Sequence, residues 1–234
     1  MKAIILAAGA GNRLKEFTDE PKSLIRIKDE PIIVRSIRLL KKAGIADIVI
    51  VVGYKSEKII EEVKELYPDV VFVKNDDFKE GSILSLWSAS KELEGDVLIM
   101  DADIYYEEAL LERLVSSKKK DFFLIDQSAA KDHEAVIVGF NDGRAVALAR
   151  GLVGSYHVAG EWAGFLKLSD NGAKRLKKII EMKISGGERR EGYEFIVPEL
   201  FNTVPVSYEL ISGLSWVEID FPEDVKKAKK LDIS

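Results

Sequence analysis

Residues 2–14 read KAIILAAGAGNRL, an apolar run that passes directly into a turn with two glycines and an arginine. Gly9 and Gly11 let a bound group approach the main chain closely, and Arg13 supplies a positive charge beside it. This combination favours a phosphate-binding turn. The same glycines could instead close a tight connection between a strand and a helix, because neither GxxxxGK[ST] nor GxGxxG is present.

The bulk composition limits the classes of protein to consider. With 234 residues, 47% of them hydrophobic, the chain is predicted to form a single domain over residues 1–234. A formal net charge of −5 argues against a nucleic-acid or anionic-membrane surface. The chain has no cysteine and two histidines, so a metal site would be built mainly from carboxylates, which suits Mg²⁺. Neither a cleavable signal pattern nor an 18-residue apolar run is evident, which predicts a cytoplasmic protein.

The first half of the chain alternates between two periodicities. Apolar runs of the strand type lie at 3–7, 48–52, 70–73 and 97–100. Helical spacing of apolar residues fills the stretches Pro31 to Ala43, Glu57 to Leu66 and Ser82 to Leu93. Strands that are apolar on both faces are typical of parallel sheets covered by helices. The pattern therefore predicts a doubly wound, mostly parallel α/β sheet.

After residue 120 the pattern changes to shorter, alternating segments. Asn141-Asp142-Gly143 separates two of them and is a strong hairpin signal. Ser169 is placed to cap a helix that follows, and Pro222 stands at the first turn of another. We expect this half to form an antiparallel extension of the same sheet, ending in helix 222–231.

Two aspartates follow the strand at 97–100, where ligands of open α/β sheets bind. Asp101 and Asp103 would repel each other there unless a divalent cation were bound. Asp220 ends a second alternating segment, residues 216–220. We expect Asp103 and Asp220 to share a Mg²⁺ ion. Asp101 and Asp220 could also act only as helix or turn caps.

Two interpretations are open for the roles of Lys22 and Ser82, which lie near these strand ends. Lys22 follows Pro21 and, with Arg13, brackets the glycine turn, so both cations can face one anion; Lys22 could also be a solvated surface charge. Ser82 is a good N-cap for its helix. Alternatively, Gly81 allows a ribose or base to approach, and Ser82 or Ser85 binds it.

With LAAGAGNRL, DEPKSL, MDAD and VEID in this order, the chain resembles the sugar-phosphate nucleotidylyltransferase superfamily. More narrowly, GSILSLWSA, GEWAGF and GLSWVEIDFPED are similar to small cytidylyltransferases that act on phosphocholine, 2-aminoethylphosphonate or inositol phosphate. The resemblance implies a Rossmann-like nucleotidyltransferase fold. It also implies a Mg²⁺-dependent transfer of CMP from CTP to a small phosphorylated or phosphonylated acceptor, with release of pyrophosphate.

The resemblance also implies roles for individual residues. It assigns catalysis to Arg13, Lys22, Asp103 and Asp220, and the metal to Asp103 and Asp220. The nucleotide is assigned to Leu6, Ala7, Ala8, Gly9, Gly11, Arg13, Lys22, Asn75, Gly81, Ser82, Ser85 and Asp101. The acceptor is assigned to Arg150, Glu161, Trp162, Tyr105 and Asp126. Two positions depart from the family pattern, since Asn12 replaces the Thr or Ser that often precedes the loop arginine and Arg150 stands where many relatives carry lysine.

The division of labour implied is a nucleotide-binding half, residues 1–120, and an acceptor-binding half, residues 121–234. A cationic acceptor would favour an aromatic face beside a carboxylate, and Trp87 and Trp216 are further aromatic candidates, with Glu194 a further carboxylate. The same aromatic residues could be ordinary core side chains. We expect a monomer or homodimer.

The proposed chemistry requires no catalytic histidine or cysteine. The acceptor phosphate is already an anion, so its oxygen can attack the α-phosphorus of CTP if the two are aligned and their charge is neutralised. One alternative is a sugar-1-phosphate nucleotidylyltransferase using UTP, dTTP or GTP, and another is a non-catalytic nucleotide-binding regulatory module. An NAD-dependent oxidoreductase is disfavoured, because the turn lacks a third glycine and Val52-Gly53-Tyr54 places no acid after the second strand.

Overall fold

The computed structural model describes residues 1–128 and 135–233. Its strands are β1 (Lys2–Ala7), β2 (Arg26–Ile27), β3 (Glu30–Pro31), β4 (Asp47–Val52), β5 (Val71–Lys74), β6 (Val97–Asp101), β7 (Ile104–Tyr106), β8 (Phe122–Asp126), β9 (Val136–Asn141), β10 (Arg144–Arg150), β11 (Val158–Leu168), β12 (Ser207–Leu210) and β13 (Trp216–Glu218). Its α-helices are α1 (Ile32–Lys42), α2 (Ser56–Leu66), α3 (Ser82–Ser88), α4 (Ala109–Ser116), α5 (Asp170–Ser185), α6 (Tyr193–Ile196) and α7 (Pro222–Lys230).

Most strands belong to one large sheet with the order β10-β9-β11-β6-β1-β4-β5, and β8 pairs with β11 and with β12. Strands β6, β1, β4 and β5 are parallel to one another. Strand β11 is antiparallel to β6, β8 and β9 and so continues the parallel half into the second half of the chain. The doubly wound sheet with an antiparallel extension is therefore confirmed.

Strand β1 lies at the centre of the parallel half and is apolar for a physical reason. Ile4 packs into the hydrophobic core on one face of the sheet, whereas Ala3 and Ile5 pack into the core on the other face. Helices cover both faces, so neither face of the strand meets water. The sheet delivers the glycine turn directly from this rigid centre.

The turn at Asn141-Asp142-Gly143 is a hairpin, as predicted. Asp142 and Gly143 have φ angles of 48° and 74°, and β9 and β10 pair antiparallel around them. Two consecutive positive φ angles are the mark of the type I′ turn, which glycine and aspartate tolerate better than most residues. The hairpin returns the chain along the edge of the sheet, where Arg150, at the end of β10, pairs with Val136 and lines the cleft described below.

The predicted starts of two helices are also confirmed. The Ser169 side chain accepts a hydrogen bond from the Gly172 amide and caps α5, and Pro222 is the first residue of α7. Helix α6 is followed directly by a 3₁₀ segment, Val197–Asn202. Pro198 explains the change, because it has no amide hydrogen to continue the helical ladder.

A two-stranded ribbon stands apart from the large sheet. Strands β7 and β13 pair antiparallel, with Ile104 opposite Glu218 and Tyr106 opposite Trp216. The Ile219 amide continues the ladder by donating to the Asp103 carbonyl oxygen at 2.9 Å. The ribbon thus joins the residues after β6 to the residues before α7, which are more than 100 positions apart in the chain. Sequence patterning did not predict β7.

Among the described residues, no helix is both long enough and apolar enough to cross a membrane.

The close contact beneath the glycine turn generates a stability prediction. A Cβ atom at Gly53 would lie 2.9 Å from the Ala8 carbonyl oxygen and 2.7 Å from Phe78 Cβ. We expect Gly53→Ala to lower the free energy of unfolding by about 1–3 kcal/mol, the usual range for overpacking. Urea denaturation measures it. Gly9→Ala is the control, since its added Cβ would meet nothing within 4 Å; an equal effect of both changes would contradict the packing argument.

Candidate active site

A single large cleft opens at the carboxyl ends of β1 and β6. It has a volume of about 1020 Å³ and extends from the glycine turn across to the antiparallel half. Most of the predicted site residues line it: Leu6, Ala7, Ala8, Gly9, Lys22, Gly81, Ser82, Ser85, Asp101, Asp103, Asp126, Arg150, Glu161, Trp162 and Asp220. Ligands of open α/β sheets bind at this edge, where strand order reverses.

The first turn folds around Lys22. Gly11 adopts the left-handed conformation, with φ of 57°, and a Cβ atom there would lie 2.7 Å from Lys22 Cγ. Glycine is therefore needed both for the backbone angle and for the passage of the lysine stem. A 3₁₀ turn, Asn12–Leu14, follows at once, and Leu14 is buried beneath it. The sequence thus places the flexible residue where the lysine enters the cleft.

Lys22 lies between the two aspartates that were predicted to bind the metal. Its Nζ lies 2.7 Å from Asp103 Oδ2 and 2.5 Å from Asp220 Oδ1. Burial alone would lower the pKa of Lys22, but the charges and hydrogen bonds of the two aspartates raise it above its usual value. Lys22 is therefore a permanent cation, and it neutralises part of the charge of the two carboxylates.

Arg13 completes the cationic side of this cluster. Its Nη1 lies 3.1 Å from Asp220 Oδ2, and its guanidinium stacks over the Phe221 ring at 5.0 Å. Arg13 and Lys22, predicted to face one anion, therefore converge on Asp220. The Arg13 side chain is 44% exposed, and it borders the cleft through Asp220 and Phe221 without lining it.

Glu218 joins Asp103 and Asp220 and was not predicted. One carboxylate oxygen from each of the three lies within 4.8 Å of the others, an arrangement that could hold a metal ion. Restricted hydration within the cleft, together with the charges of Asp103 and Asp220, raises the pKa of Glu218 well above its ordinary value. The signal was present in VEID: alternate residues of a strand share one face, which places Glu218 beside Asp220.

Asp101 is the last residue of β6 and lies deeper than Asp103. The Tyr193 hydroxyl donates to both of its carboxylate oxygens, at 3.0 and 2.9 Å. Burial, and then the charge of Asp103, raise the pKa of Asp101 well above its ordinary value. Asp101 therefore faces the cleft, with Tyr193 as its hydrogen-bond donor, instead of capping a helix.

The side of the cleft that was predicted to bind the nucleotide is formed by the end of β1 and the start of α3. Gly81 is the N-cap of α3, and no side chain caps this helix. Of the two alternatives for Ser82, the one in which it caps α3 was wrong, because its Oγ accepts from the Tyr193 amide at 2.9 Å. A Cβ atom at Gly81 would lie 2.6 Å from the Glu191 carbonyl oxygen, so glycine lets the segment before Tyr193 pack against α3. Asn75 is buried behind the cleft wall and hydrogen-bonds Ser85 at 3.1 Å.

On the side of the cleft that was predicted to bind the acceptor, Arg150 Nη2 lies 3.6 Å from Glu194 Oε1. The Asp126 carboxylate accepts hydrogen bonds from Ser128 and, at 3.0 Å, from Trp216 Nε1. Burial alone would raise the pKa of Asp126, but these hydrogen bonds lower it below its ordinary value. Asp126 is thus a charged residue that orients the Trp216 ring.

Of the aromatic residues that were considered for acceptor binding, some line the cleft and others are buried in the protein core. Trp162 lines the cleft but is only 7% exposed, packed edge-on against Phe123 and Tyr193. Trp87 packs against the core. The prediction that Tyr105 contacts the acceptor is corrected by the structure. Alternation along β7 turns its side chain away from the cleft, and the ring is buried with the Arg35 guanidinium 4.7 Å from its centre.

Comparison with known proteins agrees with this geometry. The family model described as "MobA-like NTP transferase domain" matches residues 3–185, and the chain belongs to this family. It is a nucleotidyltransferase-type domain.

The relatives are named after nucleotidyl transfer. The "Bifunctional IPC transferase and DIPP synthase" of Aquifex aeolicus is 30% identical over 232 residues, 97% of this chain and 51% of that protein. The choline-phosphate cytidylyltransferase of Streptococcus pneumoniae is 43% identical over 107 residues, 45% of each chain. A solved structure of the S. pneumoniae CTP:phosphocholine cytidylyltransferase has a TM-score of 0.75 at 27% identity and covers 97% of both chains. The chain spans about half the length of the curated relatives it matches over its whole extent.

The position of Lys22 between carboxylates generates a prediction about cations. Replacing it in Lys22→Met leaves Asp103, Glu218 and Asp220 facing one another without the bridging ammonium. We expect this variant to be destabilised in EDTA, and Mg²⁺ to raise its melting temperature by about 2–4 °C more than that of the wild type. Thermal denaturation with and without Mg²⁺ measures the difference.

Lys74→Met is the matched control, because Lys74 pairs with Asp76 on the exposed surface. We expect its response to Mg²⁺ to equal that of the wild type. If Mg²⁺ raised the melting temperature of Lys22→Met no more than that of the control, the three carboxylates would not form a cation site.

Proposed function

We propose that this chain is a Mg²⁺-dependent cytidylyltransferase. It would transfer CMP from CTP to a small phosphorylated or phosphonylated acceptor and release pyrophosphate. The observation that carries the proposal is the convergence of Lys22 with Asp103 and Asp220 beside the glycine turn. The named activities of the relatives support the same class of reaction.

The cationic residues suit a triphosphate. Amides of the turn at Ala7 to Gly11 can donate to phosphate oxygens, and Arg13 and Lys22 can neutralise their charge. Both cations are paired with Asp220 when no nucleotide is bound. Binding of CTP would exchange carboxylate partners for phosphate partners, which keeps each cation paired throughout.

The carboxylates suit Mg²⁺ in chemistry and in spacing. Asp103, Glu218 and Asp220 offer only oxygen donors, the ligands that Mg²⁺ prefers. Each Mg–O bond is about 2.1 Å, so neighbouring oxygens of a Mg²⁺ octahedron are about 3.0 Å apart and opposite oxygens about 4.2 Å. The three oxygens lie within 4.8 Å of one another and would move closer together to bind one ion. Mg²⁺ held there would supply positive charge to the phosphate groups.

The reaction is a displacement at phosphorus. An oxygen of the acceptor phosphate forms a bond to the α-phosphorus of CTP, and the bond to the bridging oxygen of pyrophosphate breaks. The acceptor oxygen is already ionised at neutral pH, so no side chain has to remove a proton. Lys22 and Arg13 would hold the reactants in line and stabilise the developing charge, effects that can supply most of the rate enhancement.

The acceptor would bind in the second half of the cleft. Arg150 supplies a positive charge to that half of the cleft, and its planar guanidinium can bind a phosphate or phosphonate through two hydrogen bonds. Glu161, Trp162 and Asp126 line the remaining wall. Candidate acceptors are phosphocholine, 2-aminoethylphosphonate and inositol phosphate. Residues 1–120 would then bind the nucleotide and residues 121–234 the acceptor.

A panel assay tests the reaction class. We expect pyrophosphate release with CTP and one of the three candidate acceptors, and at least about 100-fold slower turnover in Asp103→Asn, since this change removes a charge at the reacting centre. Asp142→Asn, in the exposed hairpin turn, is the control and should retain full activity. Turnover with UTP or dTTP and sugar 1-phosphates, but not with CTP, would reassign the chain to sugar nucleotidylyl transfer. Normal rates in Asp103→Asn would reject its role.

The acceptor assignment has its own test. We expect Arg150→Ala to raise KM for the acceptor about tenfold while KM for CTP stays nearly constant, because the charge removed faces only the acceptor. Steady-state kinetics with each substrate varied in turn measure both constants. Arg144→Ala, at the exposed far end of β10, should change neither. A selective rise in KM for CTP would move Arg150 to the nucleotide side.

A further inference from the structure

The turn that joins β13 to α7 is held by a single carboxylate. Asp224 belongs to the first turn of α7 and is only 8% exposed. Its Oδ2 accepts hydrogen bonds from the Asp220 amide at 3.2 Å and from the Phe221 amide at 2.9 Å. Its Oδ1 accepts from Lys227 Nζ at 2.9 Å. One oxygen of Asp224 therefore fixes two successive peptide groups of the turn.

This arrangement differs from the usual start of a helix. Serine, threonine, asparagine or aspartate normally stands at the N-cap and accepts from the first amides. The N-cap of α7 is Phe221, whose ring has no oxygen with which to do so. Asp224, three residues later, reaches back instead, as the acid of a capping box does. The aromatic ring at the N-cap therefore requires a reason other than helix stability.

The reason lies in the contacts of Arg13. Its guanidinium lies over the Phe221 ring, 5.0 Å from the ring centre. The same guanidinium pairs with Asp220, with Nη1 3.1 Å from Oδ2. Two consecutive residues of the turn thus hold one arginine, the first by an ion pair and the second by a cation–π contact. Both contacts require the backbone of the turn to keep its direction.

The ribbon alone does not orient Asp220. Strand β13 ends at Glu218, and the Ile219 amide still donates to the Asp103 carbonyl oxygen. Asp220 comes after this ladder, and its amide donates to Asp224 instead. Its side chain nevertheless reaches Lys22, with Oδ1 2.5 Å from Nζ. The position of this carboxylate therefore depends on the anchor that Asp224 supplies.

We propose that Asp224 is a positioning residue for the two cations beside the glycine turn. It fixes the backbone of Asp220 and Phe221. These two residues in turn hold Lys22 and Arg13 at the cleft. The consequence for catalysis rests on the proposed cytidylyltransferase function, in which both cations meet the triphosphate. Asp224 acts through its neighbours and not by contact with the reacting groups.

Acetylation of Lys22 tests the geometry without any substrate. An ammonium held between two carboxylates reacts slowly with acetic anhydride, since only the neutral amine is a nucleophile. Brief labelling in EDTA, followed by mass spectrometry of the peptides, gives a rate for each variant. Lys74, paired with Asp76 on the surface, is the internal reference. We expect Asp224→Ala to raise the Lys22 rate about tenfold, because removal of a nearby opposite charge favours the neutral amine.

Two further variants of Asp224 complete this test. Asp224→Asn keeps a side-chain oxygen that can accept from both amides, so we expect it to bring the Lys22 rate back to within about threefold of the wild type. If Asp224→Ala does not fold, Asp224→Ser replaces it with the same expectation, since its side chain is too short to hold both amides. An unchanged rate in the disrupting variant overturns the inference.

Binding of CTP tests the functional consequence. Dissociation constants are measured by calorimetry in the presence of Mg²⁺. We expect Asp224→Ala to raise the constant about tenfold, the effect of one hydrogen bond to a charged group, and Asp224→Asn to restore most of the affinity. If Asp224→Asn binds CTP as weakly as Asp224→Ala, the charge of Asp224 and not the position of its oxygen is responsible, and the positioning role is rejected.

Ser169→Ala is the matched control, because Ser169 caps α5 and does not line the cleft. We expect it and Asp224→Ala each to lower the melting temperature by about 2–4 °C, the usual effect of a lost cap. Only Asp224→Ala should change Lys22 labelling and CTP binding. If neither variant changes them, Asp224 is a helix cap alone. If the wild-type protein binds no CTP, the proposed function fails, whereas the labelling still decides whether Asp224 positions Asp220.

Discussion

The site depends on the antiparallel pairing of β7 with β13. Asp103 immediately precedes one strand, and Glu218 and Asp220 lie at the end of the other. The Ile219 amide donates to the Asp103 carbonyl, so the register of the ladder places these acids side by side. A shift of one residue would turn Glu218 and Asp220 to the opposite face. The grouping of Asp103, Glu218 and Asp220 in the cleft follows from this register.

Bringing like charges together has a cost, and the surrounding residues offset it. Lys22 lies between Asp103 and Asp220, with Arg13 on the outer side of Asp220. The deeper Asp101 is stabilised differently, by the Tyr193 hydroxyl and by a raised pKa. A cleft built in this way favours cations at its centre. An anionic nucleotide is therefore best received together with a divalent ion, which links the acidic cluster to the basic residues around it.

The sequence predicted most of the scaffold and only part of the site. Strand β1 and the hairpin at Asp142 could be predicted because hydrophobic periodicity and turn chemistry act over a few residues. The interpretation of Ser82 as a cap was wrong because the amide of a distant residue, Tyr193, donates to that hydroxyl instead. Tyr105 was misassigned for a similar reason, since strand β7 was not recognised and its alternation was unknown. Glu218 could have been found by extending the alternation rule to VEID.

Local chemistry was determined by the sequence alone: the glycine turn after a buried strand, aspartates at strand ends, the family resemblance and the absence of a cysteine nucleophile. The tertiary structure decided which charges meet. Lys22 and Asp220 are 198 positions apart, and only sheet order and ribbon register bring their side chains to 2.5 Å. It also decided the hydrogen-bond partner of Ser85, an asparagine ten residues away. Such features depend on long-range geometry, because a hydrogen bond or ion pair requires positions accurate to a few tenths of an ångström, which periodicity in a sequence does not supply.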